Sequence, residues 1–185
     1  ENTIDAYDQQ LISLGTPIYT ERNRFLKSFI PIFKKYYNNI SSGDDSVNIK
    51  YNSHLNEGSF KEIINSSISK DRFVQYTTKG IHKDDLEFLI DGNKIKNFGS
   101  QGQQKSFLVS LKLAQFEYYK DQLGSSPIVL LDDIFDKLDQ SRVSQIVSIL
   151  EKNEFGQIFI TDTHRERVED ALKDSSNKEE IFNIQ

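Results

Sequence analysis

The sequence predicts an α/β fold that combines a parallel sheet with flanking helices and a helical lobe. Two short apolar segments, PIVLLD at 127–132 and GQIFIT at 156–161, are typical of buried parallel strands. The helical spacing between them gives the order strand, helix, strand, which favours a parallel sheet covered on both faces. Residues 4–37 repeat apolar side chains at helical spacing and predict the helical lobe.

The first predicted helix contains two prolines. Pro17 suits a helix start, whereas Pro31 should kink or break the helix, because an interior proline removes a backbone hydrogen bond. The segment NNISSGDDSVN at 38–48 is rich in turn residues and predicts an interruption of the chain's helical structure.

A strand, a helix and a hairpin are predicted next. VNIKYNSHL at 47–55 alternates like a strand, and the spacing over 59–78 favours a helix. In DDLEFLIDGNKIKNF the apolar residues alternate up to Asp91-Gly92, which is a hairpin turn signal, and Ile95 is expected to begin the return strand.

The C-terminal half alternates helices and strands. An apolar stripe predicts a helix over 100–122 that ends at Gly124. The PIVLLD strand follows, then a helix at about 140–151, the GQIFIT strand and a short helix from about 164.

Composition bounds the class of protein. Of the 185 residues 36% are hydrophobic and 28% are charged, which indicates a globular chain of one domain, or one domain with an appendage. The formal charge of -5 gives no global signature of nucleic-acid binding. The absence of cysteine excludes disulfides and thiolate metal sites and favours a cytoplasmic location. No apolar run approaches the roughly 20 residues of a membrane span, and no signal-peptide pattern opens the chain.

Two adjacent acids follow the first parallel strand. Ligands bind beyond the carboxyl ends of the strands in open parallel sheets, which is where Asp132 and Asp133 are expected. Neighbouring carboxylates repel each other, and Mg2+ relieves the repulsion by taking one of them as a ligand. The second acid can then orient or deprotonate an attacking water. An apolar strand followed by acids is the Walker B pattern, but the same residues could equally cap the next loop.

The start of the long helix is a candidate anion site. Gly99, Ser100 and Gly102 stand where free backbone N–H groups and close approach favour a phosphate. The simpler interpretation is that Ser100 is an N-cap and that Gly99 lies in a turn. That interpretation leaves unexplained why a Gly/Ser/Gln-rich helix start is followed by one helix and then by a strand ending in paired acids.

This order of features resembles the ATP-binding-cassette (ABC) ATPases, in the branch that includes SMC-type proteins. There a signature loop, typically LSGGQ, opens the helix that leads to Walker B. The matching stretch is Ser100-Gln101-Gly102-Gln103. Asp132 is similar to the Walker B magnesium ligand, and Asp133 stands where most such ATPases have the catalytic glutamate.

Further stretches resemble the RecF family of bacterial DNA repair ATPases. FDKLD is similar to a D-loop that ends in Asp139, and GIHKDDL at 80–86 resembles the motif GPHRDDL. SQGQQKS resembles that family's own signature SQGQQRS, GQIFITDT its final core strand and YDQQLISLGTPI the start of its arm helix. The resemblance implies part of an arm lobe over 1–79 and the C-terminal part of an ABC-type ATPase head over 80–185.

The family's chemistry depends on dimers. The resemblance implies that ATP held by one subunit meets Ser100 and Gly102 of the other, and that two heads closed on ATP clamp DNA. It also implies double-stranded DNA, junctions and gaps as ligands, RecR as a partner, and a role in loading RecA onto gaps. Basic residues of the arm are the DNA-contact candidates: Arg22, Arg24, Lys27, Lys34 and Lys35. A solvated helix face is the simpler interpretation of those charges.

Two features depart from the family pattern. No G-x-x-x-x-G-K-[ST] occurs, so the chain is expected to be a C-terminal fragment that neither binds ATP tightly nor hydrolyses it alone. A switch histidine usually follows the last core strand directly, but here the candidates are Thr161, Asp162 and His164. A non-catalytic interaction module and the head of another SMC-type ATPase are the alternative functions.

Overall fold

The computed structural model describes residues 2–41, 43, 45–152, 155–173 and 180–182. Its chain divides into one unit of Glu1–Pro31 with Val47–Lys94 and a second of Ile32–Ser46 with Ile95–Gln185. The predicted arm boundary lies earlier, between residues 79 and 80. Such a division reports where the chain is densely packed, so the assignment to arm and head stays a prediction.

The first helix runs without interruption through both of its prolines. Helix α1 spans Asn2–Ser41 with Pro17 and Pro31 inside it. The predictions that Pro17 starts a helix and that Pro31 kinks or breaks one are therefore wrong as to helix boundaries. An interior proline costs about 3 kcal/mol, but the helix buries Leu26 and Phe33 on either side of Pro31. Each such burial contributes about 1.5–3 kcal/mol and outweighs the lost hydrogen bond.

The first unit contains a small antiparallel sheet. Strand β1 (Val47–Asn52) pairs with β2 (Asp85–Ile90), which pairs with the two-residue β3 (Asn93–Lys94). Asp91 and Gly92 have φ of 48° and 77°, so the turn predicted from this dipeptide is present. The return strand, however, ends before Ile95. That residue begins helix α3, which corrects the expectation that it opens the strand.

Helix α2 supplies the remaining core of this unit. It spans Phe60–Val74 and starts with a capping box between Ser59 and Glu62. Short 3-10 turns lie at His54–Asn56 and Ile81–Lys83. The buried cluster is formed by Leu55, Phe60, Ile63 and Ile64, with Ile12, Tyr19 and Ile81 packed against it.

The second unit has the predicted alternation of helices and strands. After α3 (Ile95–Phe98) come α4 (Gln101–Leu123), β4 (Ile128–Asp132), α5 (Gln140–Lys152), β5 (Gln157–Thr161) and α6 (Arg165–Leu172). Gly124 ends α4 in the left-handed conformation with φ of 65°. Strands β4 and β5 are parallel, so the α/β fold class with a parallel sheet and flanking helices is confirmed.

The parallel sheet is covered on one face only by the described residues. Val129 and Leu131 are buried, whereas Ile128 is 63%, Leu130 71% and Phe159 48% exposed. Leu130 lies opposite Phe159 in the register, so these side chains share the open face. The expectation of a sheet covered on both faces is therefore wrong for this chain. No helix in the described part of the chain is long and apolar enough to cross a membrane.

Candidate functional site

The start of helix α4 is an N-terminal cap of regular geometry. Ser100 is the N-cap residue: its Oγ accepts a hydrogen bond from the backbone N–H of Gln103 at 3.2 Å. Gln103 Oε1 in turn accepts from the backbone N–H of Ser100 at 2.8 Å. This reciprocal capping box explains locally why the helix begins here. The capping interpretation of Ser100 is thus confirmed, and it leaves the nucleotide contact a prediction.

Gln103 also ties the helix start to the loop before β1. Its Nε2 lies 3.2 Å from both carboxylate oxygens of Asp45. Asp45 Oδ2 additionally accepts from the hydroxyl of the buried Tyr37 at 2.9 Å. Both ends of the Gln103 amide are therefore engaged, so this side chain is held in one orientation.

Gly102 lies against the start of helix α5. A Cβ atom built on Gly102 would come within 2.3 Å of a terminal guanidinium nitrogen of Arg142 and 3.5 Å of the Lys137 carbonyl oxygen. Arg142 donates its backbone N–H to Asp139 Oδ1 at 2.9 Å, so Asp139 caps α5. The second unit therefore brings the sequence-predicted signature glycine next to the predicted D-loop, and it gives Asp139 a structural role.

The two predicted acids lie at the carboxyl end of β4 and share one hydroxyl partner. Thr161 lies opposite Asp132 in the parallel register. Its hydroxyl donates a short hydrogen bond to Asp132 Oδ1. The backbone N–H of Asp133 donates to the carbonyl oxygen of Thr161 at 3.0 Å and lies 3.2 Å from the Thr161 hydroxyl. Of the three switch candidates, Thr161 is the one in contact with both acids.

Asp133 sits in a turn that a lysine of helix α4 holds in place. Its φ of 47° is left-handed, a region in which aspartate is several-fold enriched over most residues. The Lys105 ammonium donates to the Asp133 carbonyl oxygen at 2.6 Å. Because Lys105 is one helical turn after Gln101, this bond links the helix that carries the predicted signature to the Walker B end.

The acids suit a magnesium ion by number and donor type. Mg2+ takes one or two carboxylates and completes its shell with water and phosphate oxygens. Asp132 is exposed, and Asp133 Oδ1 is buried without a hydrogen-bond partner among the described residues. A buried carboxylate oxygen without a donor is a costly arrangement that a cation or an ordered water would relieve. The described residues hold no cluster of three or more His, Cys, Asp or Glu for a metal bound by protein alone.

The other two switch candidates differ in exposure. The Asp162 side chain is fully buried: it accepts from the His164 backbone N–H at 2.8 Å and lies 3.4 Å from a guanidinium nitrogen of Arg167. The His164 side chain is 66% exposed, and its Nδ1 lies 2.9 Å from the Thr163 hydroxyl. Asp162 thus organises the start of α6, and His164 is the one with a ring open to solvent.

The five arm residues proposed for DNA contact fall into two groups. Arg22 pairs with Asp84, Arg24 with Glu21, and Lys35 with Glu117. Among the described residues no acidic partner lies within ion-pair distance of Lys27 or Lys34, and Lys27 is exposed whereas Lys34 is half-buried. Surface ion pairs are weak, so a DNA phosphate can replace the carboxylate partner of such a basic residue. The prediction that these residues contact DNA therefore stands.

Sequence reasoning missed three residues that organise the site. Lys105 holds the Asp133 turn, Arg142 packs over Gly102, and Asp45 orients Gln103. Lys105 gave a signal, because it lies four residues after Gln101 and therefore on the same face of the helix. Asp45 and Arg142 gave none, since their partners lie far away in the sequence.

Comparisons with known proteins give the family. A comparison with protein-family models finds no match. The chain is 50% identical over 183 residues to the DNA replication and repair protein RecF of Flavobacterium johnsoniae. This match covers 99% of this chain and 51% of the relative. It is 43% identical over 164 residues to the protein of the same name from Cytophaga hutchinsonii, covering 89% of this chain and 44% of the relative.

This chain is a C-terminal segment of the RecF family. It spans about half the length of the curated relatives it matches. A solved structure described as the recombination mediator protein RecF-ATPrS in the RecFOR pathway superposes with a TM-score of 0.73 at 25% identity, over 90% of this chain and 46% of that one. An Smc head domain from Pyrococcus furiosus shares the fold with a TM-score of 0.52 at 15% identity, over 92% of this chain and 37% of that one. The ATPase-head fold class is confirmed.

Proposed function

We propose that this chain supplies the signature, Walker B and D-loop side of an ATP-dependent DNA clamp that acts in recombinational repair. The observation that carries the proposal is the connection between the two parts of the site. Lys105 on the signature helix donates to the Asp133 carbonyl oxygen at 2.6 Å, and Gly102 on the same helix lies against the start of α5. A change in the conformation of the signature stretch would therefore be transmitted through these contacts to Asp132 and Asp133.

Asp132 and Asp133 are assigned different tasks. Asp132 is the proposed magnesium ligand, because it is exposed at the end of β4 and its partner Thr161 can orient it. A bound Mg2+ would neutralise charge on the β- and γ-phosphates. Asp133 is the proposed catalytic carboxylate, which orients the attacking water or accepts its proton as a general base. The turn held by Lys105 and Thr161 fixes its backbone, so its carboxylate has few conformations to lose before reaction.

The ATP-binding site would be completed by residues from two subunits. Ser100 Oγ caps the backbone N–H of Gln103. The N–H groups of Gln101 and Gly102, in the same first turn of α4, have no carbonyl partner within the helix and suit a phosphate oxygen. We assign Ser100, Gln101, Gly102 and Gln103 to the γ-phosphate held by the partner subunit, and Asp139 to the D-loop contact. Since the chain lacks a P-loop, this activity belongs to the longer protein as an ATP-dependent homodimer, and we expect the chain alone to be inactive.

DNA, RecR and RecA complete the proposal. The two RecF relatives are named DNA replication and repair proteins, and the solved RecF is described as a recombination mediator. Carried over to this chain, these descriptions support a role in DNA repair. Binding to duplex DNA, junctions and gaps, cooperation with RecR, and loading of RecA in the cytoplasm are what the family resemblance implies, and we include them in the proposal. Arg22, Arg24, Lys27, Lys34 and Lys35 remain the proposed phosphate contacts of the arm.

The first test replaces Asp133 by asparagine in the longer protein. Asparagine keeps the side-chain size and tolerates a left-handed φ, so the turn is preserved while the carboxylate is lost. We expect ATP binding to persist and turnover to fall by about a hundredfold or more, the usual contribution of a positioned acid or base. Turnover equal to that of the parent protein would remove Asp133 from the mechanism.

A second test addresses the contact in trans. Ser100→Arg places a bulky cation at the start of α4, and we expect dimers no longer to form on addition of ATP. Ser13→Arg, at an exposed position of α1, is the matched control and should leave dimers unchanged. Mass measurement in solution with and without ATP reads both variants. Normal ATP-driven dimers of Ser100→Arg would show that this loop lies outside the interface.

One observation favours a non-catalytic interaction module as the second candidate function. The open face of the parallel sheet, formed by Ile128, Leu130 and Phe159, is as apolar as a protein interface. If the longer protein neither bound nor hydrolysed ATP, this face would become the leading functional feature of the chain.

A further inference from the structure

The side chain of Arg142 lies at the start of two helices. Arg142 stands in the first turn of α5, where its backbone N–H donates to Asp139 Oδ1 at 2.9 Å. Its guanidinium reaches away from that helix and packs on Gly102, in the first turn of α4. A helix N-terminus favours anions over cations, so both positions are electrostatically unfavourable for an arginine. Departures from a local rule of this kind are expected at functional sites.

The guanidinium is also held in place. The Arg142 side chain is 20% exposed, and the Asp139 carboxylate lies 3.6 Å from its Nε. This carboxylate is 59% exposed and already caps α5 through the backbone of Arg142. One exposed carboxylate compensates the charge only in part, because surface ion pairs are weak. Stability alone therefore gives a poor reason for an arginine here.

The guanidinium occupies the space where a side chain at position 102 would begin. A Cβ atom built on Gly102 would lie 2.3 Å from a terminal nitrogen of Arg142. The next nearest atoms are the Lys137 carbonyl oxygen at 3.5 Å and Arg142 Cζ at 3.6 Å, both ordinary contact distances. A methyl group at position 102 would therefore displace the end of a flexible side chain and leave the backbone of both helices in place.

A series of short turns joins the start of α5 to Asp133. The Asp133 carbonyl oxygen accepts a hydrogen bond from the Asp136 backbone N–H at 3.4 Å. The Phe135 carbonyl oxygen accepts from the Leu138 backbone N–H at the same distance. Phe135 is 1% exposed, so the turns are anchored in the core of the second unit. A shift of the start of α5 would therefore move the backbone that carries the Asp133 carboxylate.

Two connections thus link the predicted signature to the turn at Asp133. The Lys105 ammonium reaches the Asp133 carbonyl oxygen from α4. The Arg142 guanidinium reaches Gly102 from the opposite direction, from the end of the predicted D-loop. One contact alone is a pivot, whereas two contacts on different elements fix the orientation of the first turn of α4.

We infer that Arg142 is a positioning residue for ATP hydrolysis, which holds the first turn of α4 against the D-loop. The inference rests on the proposed function and adds a residue to it. It gives the glycine at position 102 a steric reason, since the guanidinium fills the place of a side chain. Arginine suits this task better than lysine, because a planar guanidinium can cover Gly102 with one nitrogen while another stays near Asp139.

The first test compares Arg142→Met with the parent in the longer protein. Methionine keeps an apolar stem but has no charge and no donor, and the backbone cap from Asp139 is untouched. We expect kcat for ATP to fall by about tenfold to a hundredfold, as for the loss of one charged hydrogen-bonding group. KM and ATP-driven dimer formation should stay nearly unchanged. Arg72→Met, at an exposed position of α2, is the matched control and should turn over ATP as the parent does.

Two results of this comparison would overturn the inference. A kcat equal to that of the parent would mean that the Arg142 side chain only fills space. Loss of ATP-driven dimers would mean that it belongs to the subunit interface, because a positioning residue acts on turnover after the dimer has formed.

A double-mutant cycle tests the contact with Gly102. We expect Gly102→Ala to lower kcat by a factor similar to that of Arg142→Ala, because its methyl group displaces the guanidinium. The double variant should be little slower than either single variant, since both changes remove the same contact. Factors that multiply in the double variant would show that Gly102 serves a different contact, which overturns the inference. If Arg142→Ala folds poorly, a normal kcat in Gly102→Ala overturns it equally.

The outcomes separate this inference from the proposed function. Turnover that is lost in Asp133→Asn but normal in Arg142→Met and Gly102→Ala overturns the inference and leaves the proposed function standing. If the parent protein hydrolyses no ATP, the proposed function fails and the inference fails with it.

Discussion

Arg22 has two possible tasks, and a double-mutant cycle with Asp84 distinguishes them. Its guanidinium donates to Asp84 Oδ2 at 2.6 Å and to the Ile81 carbonyl oxygen at 2.9 Å. Asp84 Oδ2 also accepts a short bond from the Tyr51 hydroxyl. Contacts with Tyr51 and then Asp84 raise the pKa of Arg22, so the guanidinium stays charged over the whole pH range of such an experiment. We expect the pair to stabilise the first unit.

Exposure sets the expected size of each effect. The Asp84 side chain is 4% and the Arg22 side chain 44% exposed. Arg22→Ala leaves a buried carboxylate with Tyr51 as its remaining donor, which should cost about 2–3 kcal/mol, below the 3–5 expected for a fully buried pair. Asp84→Ala should cost less, about 1–2 kcal/mol, because the half-exposed guanidinium can turn to water. The coupling energy should be about 1–2 kcal/mol.

The coupling energy is measured by urea denaturation, monitored by far-UV circular dichroism. The proteins compared are the parent, both single variants and the double variant. Arg24→Ala is the control: Arg24 pairs with Glu21 at the surface, with 72% and 61% of the two side chains exposed, so stability should change by less than about 0.5 kcal/mol. A coupling energy near zero would refute the reasoning. Loss of DNA affinity in Arg22→Ala without loss of stability would then make Arg22 a phosphate contact, one of the two roles that the sequence leaves open.

Two further predictions concern the turn at Asp133 and the stability of the folded protein at low pH. Lys105→Met removes the donor to the Asp133 carbonyl oxygen and should lower kcat for ATP in the longer protein by about tenfold to a hundredfold, the equivalent of one charged hydrogen bond, with KM nearly unchanged; equal kcat would contradict this. Hydrogen bonds from the Lys94 ammonium and then from Asn52 lower the pKa of Glu87 from 4.5 to about 2. The folded-state pKa lies below the unfolded one, so this stabilisation is present above pH 4.5 and is lost as the pH falls toward 2. Acid denaturation of Glu87→Gln should therefore be less steep across that window than in the parent or in the Glu57→Gln control.

Local patterns were enough to predict most elements of this fold. The alternation before Asp91-Gly92 marked the hairpin, and the apolar runs before Asp132 and Thr161 marked the parallel strands. These signals lie within a few residues of the structure they produce. Pro31 shows the limit, because the burial that keeps α1 continuous involves residues whose packing partners a local window cannot see.

The exposed face of the parallel sheet and the residues that hold the site in place could not be predicted from the sequence, for a related reason. A wholly apolar strand predicts burial on both faces, and Leu130 fits that pattern although it is 71% exposed in this chain. Likewise the acids were marked by their strand, whereas Asp45 and Arg142 act on residues 58 and 40 positions away. Such contacts depend on packing in three dimensions and leave no periodic trace in the chain.

The left-handed backbone of Asp133 limits which residues could ever replace it. With φ of 47°, the position admits aspartate, asparagine and glycine at low strain but disfavours longer or β-branched side chains. Lengthening the acid to glutamate would therefore alter two properties at once, the reach of the carboxylate and the preferred shape of the turn. An engineer who wished to retune hydrolysis here would gain more by changing the residues that hold the turn than by exchanging the acid itself.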